Sequence, residues 1–458
     1  MKNRILLLMM ASGLIATAQL DKSSCPANLS IFAEFAKVKN YDSAYQPWLE
    51  VRNNCPELNV ATFKYGERIL NHKIKNATDD KAALQASLMS LYDDWLTYFP
   101  NTKRGASEVG KILSSKAQAM VDNKLGTKRE AYEIFDQAFT QDPNSFTSPK
   151  RLYTYFKTAY QLYKQGDKTA EVLFDKYEEV SEKFALEQTN LAKKLDVILK
   201  KLETGEALTS REQRNKRVYE TNTFAFSTYA GNLDAMISKE SSCENLIPLY
   251  RKNFEANRSN SVWLNRAASR MDAKECADDP LFVELVEALH AINPSANSAY
   301  YLGILKDKAG ERKAALAYYE ESLTLEQDQY RKADILYKIA VKFKKRNLKS
   351  KSRSYARKAL KNRPSMGKAY MLIASLYAAS ANDCGNTQFE KRAVYWLAAK
   401  TARKAATVDS GVKKTALKLA ASYEGRAPSK TDIFTEGRAG ETISFSCWIN
   451  SSVTVPQL

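Results

Sequence analysis

Apolar residues recur along this chain at three- and four-residue spacing over most of its length. In "IFAEFAKVK", Ile31, Phe35 and Val38 fall at helical spacing, and in "SAYQPWLEVR" Ala44, Trp48 and Val51 do so again, with "KNYD" between them as a turn. Pro56 then ends the second helix, because its ring blocks the preceding turn and it has no N–H to donate. The stretch predicts two antiparallel helices joined by a short turn. The pattern returns in "ANSAYYLGILKDKAGERKAALAYYEESLTLEQD", with Leu302 and Gly303 at a helix crossing, Gly310 in the turn, and Ala315 and Tyr319 on the second helix. Gly303 and Ala315 are small because a larger side chain at the point of closest approach would push the helices apart. Residues 333–364 repeat it with Ile339, Ala340, Phe343, Ala359 and Pro364, and the next unit opens "AYMLIASLY". Earlier, "REAYEIFDQAFTQDPN" carries Ala131, Phe135, Ala138 and Pro143 at the same spacing, and "YFKTAYQLYKQGDKTAEVLFDKYEEV" fits a further unit. Residues 186–220 fit poorly: Leu191, Leu195, Ile198 and Leu202 mark an amphipathic helix stopped by Gly205, and the charged stretch after it reads as a hinge.

These units resemble the tetratricopeptide repeat, a helical hairpin of about 34 residues with a small residue early in its second helix, an aromatic four later and a closing proline. Ala44, Trp48 and Pro56 match; Phe32 stands where a small residue is expected, and Gln327 where the unit beginning near residue 297 would close on proline. The resemblance implies an all-α fold of about nine hairpins stacked in a right-handed superhelix, an α-solenoid. The chain divides on this reading into 19–185, a degenerate N-terminal array; 186–235, a long helical connector; 236–425, a C-terminal array; and 426–458, a tail. In that tail "ETISFSCWINSSVTVP" alternates Ile443, Phe445, Cys447 and Ile449 on one face before a turn at Asn450-Ser451 and a second run, Val453 to Val455. Two strands alone are marginal in water, so this small β-hairpin is expected to cover the final helices.

Scarce glycine (16) and proline (12) agree with helix nearly throughout. Lys2 and Arg4, the apolar run from Ile5 to Ala16 and the small-x-small Ala16-Thr17-Ala18 form a signal peptide over 1–18, so a mature chain exported from near Gln19, with no transmembrane segment, is expected. The formal charge is +18, or +16 without Lys2 and Arg4. That excess suits an acidic partner, and export argues against nucleic acid.

In an antiparallel hairpin the start of the first helix lies beside the end of the second, which places Cys25 near Cys55. Cys243 and Cys276 lie about one repeat apart and can link successive units. Cys384, in an enlarged turn, and Cys447, in the tail, remain as a third pair; this is one of fifteen pairings that six cysteines allow. No Cys-x-x-Cys occurs and there are two histidines, His72 and His290, so zinc is not expected.

No phosphate-cradling loop or G-x-S-x-G is present, and no cofactor is expected. His290 reads as the end of a packed helix, Ser365-x-x-Lys368 lacks its companion motifs, and Asp93-Asp94, Glu178-Glu179 and Glu320-Glu321 read as solvated charge. Two features stand out. "KFKKRNLKSKSRSYARKALKNR" holds eleven cations and no acid: Lys342, Lys344, Lys345, Arg346, Lys349, Lys351, Arg353, Arg357, Lys358, Lys361 and Arg363. It is a candidate patch for an anionic surface or polymer, against the alternative of a face that only aids solubility. Tyr153, Phe156, Tyr160 and Tyr163 follow one helical face, a candidate peptide groove or, alternatively, core. The "CGNTQFEKRAVYWLAAKTARKA" and "GETISFSCWI" segments, with the signal peptide and degenerate repeats, resemble exported tetratricopeptide-repeat proteins of the Bacteroidota. That resemblance implies a non-enzymatic adaptor, periplasmic or outer-membrane-associated, binding a protein partner of the cell envelope along its concave groove. The alternative is a binder of an anionic envelope ligand, lipopolysaccharide or glycan, at residues 342–363.

Overall fold

The computed structural model describes residues 22–458, so the signal peptide read over 1–18 lies outside the described residues. Among the described residues twenty α-helices follow one another, and one two-stranded antiparallel sheet comes last. Two compact units divide at Arg151/Leu152.

The first unit is built of the hairpins α1 (Cys25–Lys37) with α2 (Tyr41–Asn54), α3 (Ala61–Asn76) with α4 (Lys81–Tyr98), and α5 (Val109–Asn123) with α6 (Lys128–Gln141). Pro56 opens a single 3₁₀ turn directly after α2, as its missing N–H dictates. Trp48 is fully buried and donates its indole N–H to the Thr62 carbonyl at 2.7 Å. Gly66 makes room for it, since a Cβ there would lie 2.6 Å from the indole nitrogen.

On α1 the structure corrects the sequence reading. Ile31, Phe35 and Val38 are exposed, Val38 at 74%, while Phe32 and Ala36 form the buried face against α2 and α3. Both stripes have helical spacing, and packing selects the one that meets the next hairpin; α1 has no preceding hairpin among the described residues to cover the other.

The second unit contains most of α7 (Pro149–Lys164), then α8 (Ala170–Glu203), α9 (Ser210–Ile237) and α10 (Cys243–Asn257). The regular hairpins follow: α11 (Ser261–Ala273) with α12 (Pro280–Ile292), α13 (Ala296–Lys308) with α14 (Arg312–Leu325), α15 (Gln329–Lys345) with α16 (Lys349–Asn362), and α17 (Gly367–Ala378) with α18 (Gln388–Val408). Two short helices, α19 (Lys413–Glu424) and α20 (Lys430–Glu436), lead into β1 (Thr442–Phe445) and β2 (Ser451–Thr454). The 34-residue α8 runs through residue 185 without a break, at about 1.5 Å per residue spanning about 51 Å. At the α13–α14 crossing a Cβ on Gly303 would lie 2.5 Å from the Tyr319 ring and 3.3 Å from the Ala315 carbonyl, and Gly310 turns the chain at φ +80°.

The terminal sheet pairs Ile443 with Val453, and Ile443, Phe445, Ile449, Val453 and Val455 are buried with Phe389, Val394 and Tyr423. The first strand ends at Phe445, earlier than the alternation suggests. Residues 446–450 form the connection, so the turn is wider than the expected Asn450-Ser451. Cys25–Cys55, Cys243–Cys276 and Cys384–Cys447 are disulfide-bonded, with Cα separations of 6.4, 5.5 and 5.6 Å. No helix among the described residues is long and apolar enough to cross a membrane.

Replacing Gly303 by valine should lower stability by about 1–3 kcal/mol through overpacking. Gly231→Ala, mid-helix on α9 with no atom within 4 Å of the new methyl, should be neutral or stabilising. Guanidinium-denaturation midpoints of the two variants check the contrast.

Candidate binding surface

The first helices of the regular hairpins, α11, α13, α15 and α17, share a side of the second unit, and α8 crosses it. Near its start Glu178 pairs with Arg270 of α11 at 2.5 Å, and one turn later Glu182 takes a two-point bond from Arg266, at 2.8 and 2.7 Å. Lys193 bridges to Asp328, the N-cap of α15, at 2.8 Å. Asp196 accepts the Ser365 backbone N–H, 2.9 Å away, in the turn before α17. Leu195 and Leu199 then pack with Tyr370 of α17 and Val408 of α18, and Glu203 reaches Lys404. α9 returns antiparallel: Lys201 meets Glu212 at 2.6 Å near the turn, Phe184 packs edge-on to Phe226, and Tyr177 donates to Asp234 at the far end.

Beneath the middle of α8 a cavity of about 900 Å³ remains, lined by Leu186, Asn190, Arg266, Asn297, Leu325 and Lys338 among others. Leu186 and Leu325 are 51% and 42% exposed, so the cavity offers apolar surface between charged walls. Among the described residues, Lys338 is the cation on this floor without an ion pair. Desolvation among the packed helices holds its pKa below the ordinary lysine value against the attraction of Asp272 and Asp334, with Lys368 and Lys342 adding to the depression. Burial pushes the Glu178 carboxyl above its usual range despite Arg270. Burial works against the charge on Arg270 too, but Glu178 and Tyr177, whose ring lies 4.0 Å below the guanidinium, keep it protonated. Asp196 is raised by burial against hydrogen bonds from Ser365 and Tyr330.

The aromatic stripe packs on the chain's own helices. Phe156 is fully buried against Tyr177, Tyr153 lies 5.4 Å from Tyr229 of α9, Tyr160 donates to Glu240 at 3.1 Å, and Tyr163 stacks beside Tyr160.

The eleven cations of residues 342–363 divide by helix. At the end of α15 and in the following turn, Lys342 pairs with Asp272, Lys345 with Glu275 and Arg346 with Asp307; Lys349, the first residue of α16, pairs with Asp383, and Arg363 reaches Asp334 after α16. Lys344 bonds the Ser375 hydroxyl. On α16 itself Lys351, Arg353, Arg357, Lys358 and Lys361 have no carboxylate partner among the described residues; their contacts are to rings, carbonyls and a phenol.

The residues weighed for catalysis are tied into packing. His72 bonds Asp42 at 3.1 Å, His290 meets the Ser298 hydroxyl at 3.0 Å, Lys368 pairs with Asp334, and Asp93 and Asp94 face Lys116 and Arg52. No group of three metal-ligating side chains is assembled among the described residues.

The geometry defines an all-α protein of stacked helical hairpins, a tetratricopeptide-like fold. No family model and no curated protein matches the sequence. Among solved structures it is similar to a tetratricopeptide repeat protein from Parabacteroides merdae, at 12% identity and TM-score 0.24, over 68% of this chain and 97% of that one. It is also similar to yeast Tom70, at 11% and 0.26 over 88% and 96%. Human IFIT1, solved as a dimer with m7Gppp-AAAA, aligns at 14% and 0.27 over 89% and 94%. Scores of this size carry no argument about function, and the repeat assignment rests on the chain's own hairpins.

What sequence reasoning missed is the seat of α8. Its signal was present as Glu178, Glu182, Lys193 and Asp196 on one side of the helix, but such spacing also describes a solvated face.

Two outcomes follow. Arg270→Ala should cost about 3–5 kcal/mol by stranding a buried carboxylate, whereas replacing Arg270 and Glu178 together by methionine should cost far less; thermal and denaturant unfolding of both variants measures the difference. Glu212 is held down to about 2 by the hydrogen bond from Lys201, then by the backbone and hydroxyl of Thr209. Its folded value lies below the ordinary 4.5, so its contribution is complete above 4.5 and lost as pH falls toward 2. The midpoint advantage of the wild type over Glu212→Gln should be constant above about pH 5 and vanish near pH 2; a pH-independent gap would refute the assignment.

Proposed function

We propose that this protein is a non-enzymatic scaffold of the cell envelope that binds a protein partner along the first-helix side of its repeats. The observation that carries the reading is the seat of α8. Side chains from α11, the cap of α15, and α17 each hold one transverse helix, which is what a repeat surface must do to hold a partner. Because α8 already occupies its two ends, the partner's segment enters beneath the middle of α8. There about 900 Å³ stands open and Leu186 and Leu325 are uncovered, a volume within the range of ligand-binding clefts. Three disulfides support export, since such bonds persist in oxidising compartments.

A photo-crosslinking residue placed at Asn190 or Leu325 in the exported protein should yield the same discrete adduct from both positions, surviving moderate salt. Placed at Phe434, which is 74% exposed on α20, it should not. Equal yields from all three positions, or no adduct from the cavity positions, would sink the reading.

A further inference from the structure

The cations of α16 are the strongest charged feature that partner binding through the cavity leaves unused. Arg353, Arg357 and Lys361 recur every four residues, about 6 Å apart along the helix, and Lys358 stands beside them. Like charges at this spacing repel. Within α16 no acidic residue relieves them. Asp383 pairs with Lys349 at the start of the helix, and Glu320 on α14 acts on Tyr355, but among the described residues neither forms an ion pair with the row. The contrast with the turn before it is the informative part. From the end of α15 to the first residue of α16, Lys342, Lys345, Arg346 and Lys349 each have a carboxylate, so neutralisation is available to this repeat and stops after that first residue.

The row borders a shallow depression of about 450 Å³ whose lining is Ser350, Arg353, Ser354, Arg357, Lys358 and Lys361, hydroxyl and cationic donors without an acceptor among the side-chain charges. At its N-terminal end a second depression, about 410 Å³, brings together Leu348, Lys351 and Trp448 with Asp383, whose carboxylate is paired to Lys349 at 3.0 Å. Leu348 is 37% exposed and Trp448 partly exposed, with the Arg353 guanidinium 5.0 Å over its ring. Guanidinium groups match phosphate oxygens in fork geometry, and tryptophan favours the level of lipid headgroups, where one edge is apolar and the other wet.

We propose that the exposed face of α16, with Trp448 and Leu348 at its end, docks the protein on a lipid surface bearing anionic phosphate headgroups. The row of cations lies over the headgroups, and the indole and leucine enter at their edge. This assignment is independent of the cavity beneath α8, since it uses different residues and a different ligand.

The test is flotation of the mature chain with vesicles of phosphatidylglycerol and phosphatidylcholine in equal parts, beside vesicles of phosphatidylcholine alone. The mixed vesicles should carry the protein and the neutral ones should not, and raising salt from about 50 to about 300 mM should release it at least about tenfold. Lys358→Gln with Lys361→Gln, two exposed positions whose loss leaves the core intact, should weaken binding about tenfold without shifting thermal unfolding. Lys345→Gln, which removes a cation paired to Glu275, should change it little. Failure to float with the mixed vesicles overturns the proposal, as does an equal loss with Lys345→Gln. Binding to soluble inorganic polyphosphate in the absence of vesicle binding overturns it too, and gives the face to a soluble polyanion.

Discussion

Each helical hairpin in this chain buries only part of its apolar surface by itself, and the fold follows from the need of every hairpin for a neighbour. Neighbouring helices meet that need at close crossings. Gly303 beneath Tyr319, and Gly66 beneath Trp48, let an aromatic ring occupy the place of a side chain on the facing helix. The outer faces of the first and last helical hairpins have no further helical hairpin against them among the described residues. At the N-terminus Cys25–Cys55 ties the two helices of the first hairpin together, closing a loop of about 30 residues, worth about 3–4 kcal/mol on the chain-entropy account. At the C-terminus a β-hairpin takes the neighbour's place. It buries Ile443, Phe445, Ile449 and Val453 on the last repeats, and Cys384–Cys447 holds it there. A two-stranded sheet that would be marginal alone is stable as a cover.

A second kind of contact joins α8 to the repeats it crosses. Where hairpins stack, the buried contacts are mainly apolar with ion pairs at the margins; where α8 meets α11 and α15 the contacts are ion pairs, many of them partly exposed, with open space between. Partly exposed pairs contribute little stability, whereas the buried Glu178–Arg270 pair is costly to break on one side only. The helix is therefore positioned by specific partners more than it is held by area. Its apolar anchors lie toward the ends, Phe174, Tyr177 and Phe184 before the cavity and Leu195 and Leu199 after it. An element pinned at both ends and bridged in the middle leaves a cleft that depends on both sides being rigid.

The repeats were legible because they rest on local rules. Period, turn glycines and closing prolines depend on residues a few positions apart, so Gly303, Gly310 and Pro56 could be placed from the chain alone. Cys25–Cys55 followed from hairpin geometry, Cys243–Cys276 from repeat spacing and Cys384–Cys447 as the pair that remained, and all three bonds are present in the structure. The choice between two stripes on α1 was not legible, because Ile31 and Phe32 are both apolar and the neighbour that decides between them lies some thirty residues on, at Tyr65. Nor was the seat of α8, whose partners Arg270, Asp328 and Ser365 stand about 90 to 170 positions away. A charged stripe on a helix looks the same whether it faces water or a distant helix of its own chain.

The basic stretch illustrates the same limit in a more useful form. Eleven cations without an acid look uniform in sequence, yet folding brings Asp272, Glu275, Asp307, Asp383 and Asp334 to cations before, at the first residue of and after α16, and, among the described residues, none to the five along its length. Net charge alone would assign the excess to solubility. Its distribution argues otherwise. Neutralisation of neighbours raises the contrast of the face that remains, so potential is concentrated on one helix instead of spread over a repeat. A surface of that kind gives an anionic partner one orientation to prefer, and orientation is what a scaffold needs if its other binding faces are to point in a defined direction.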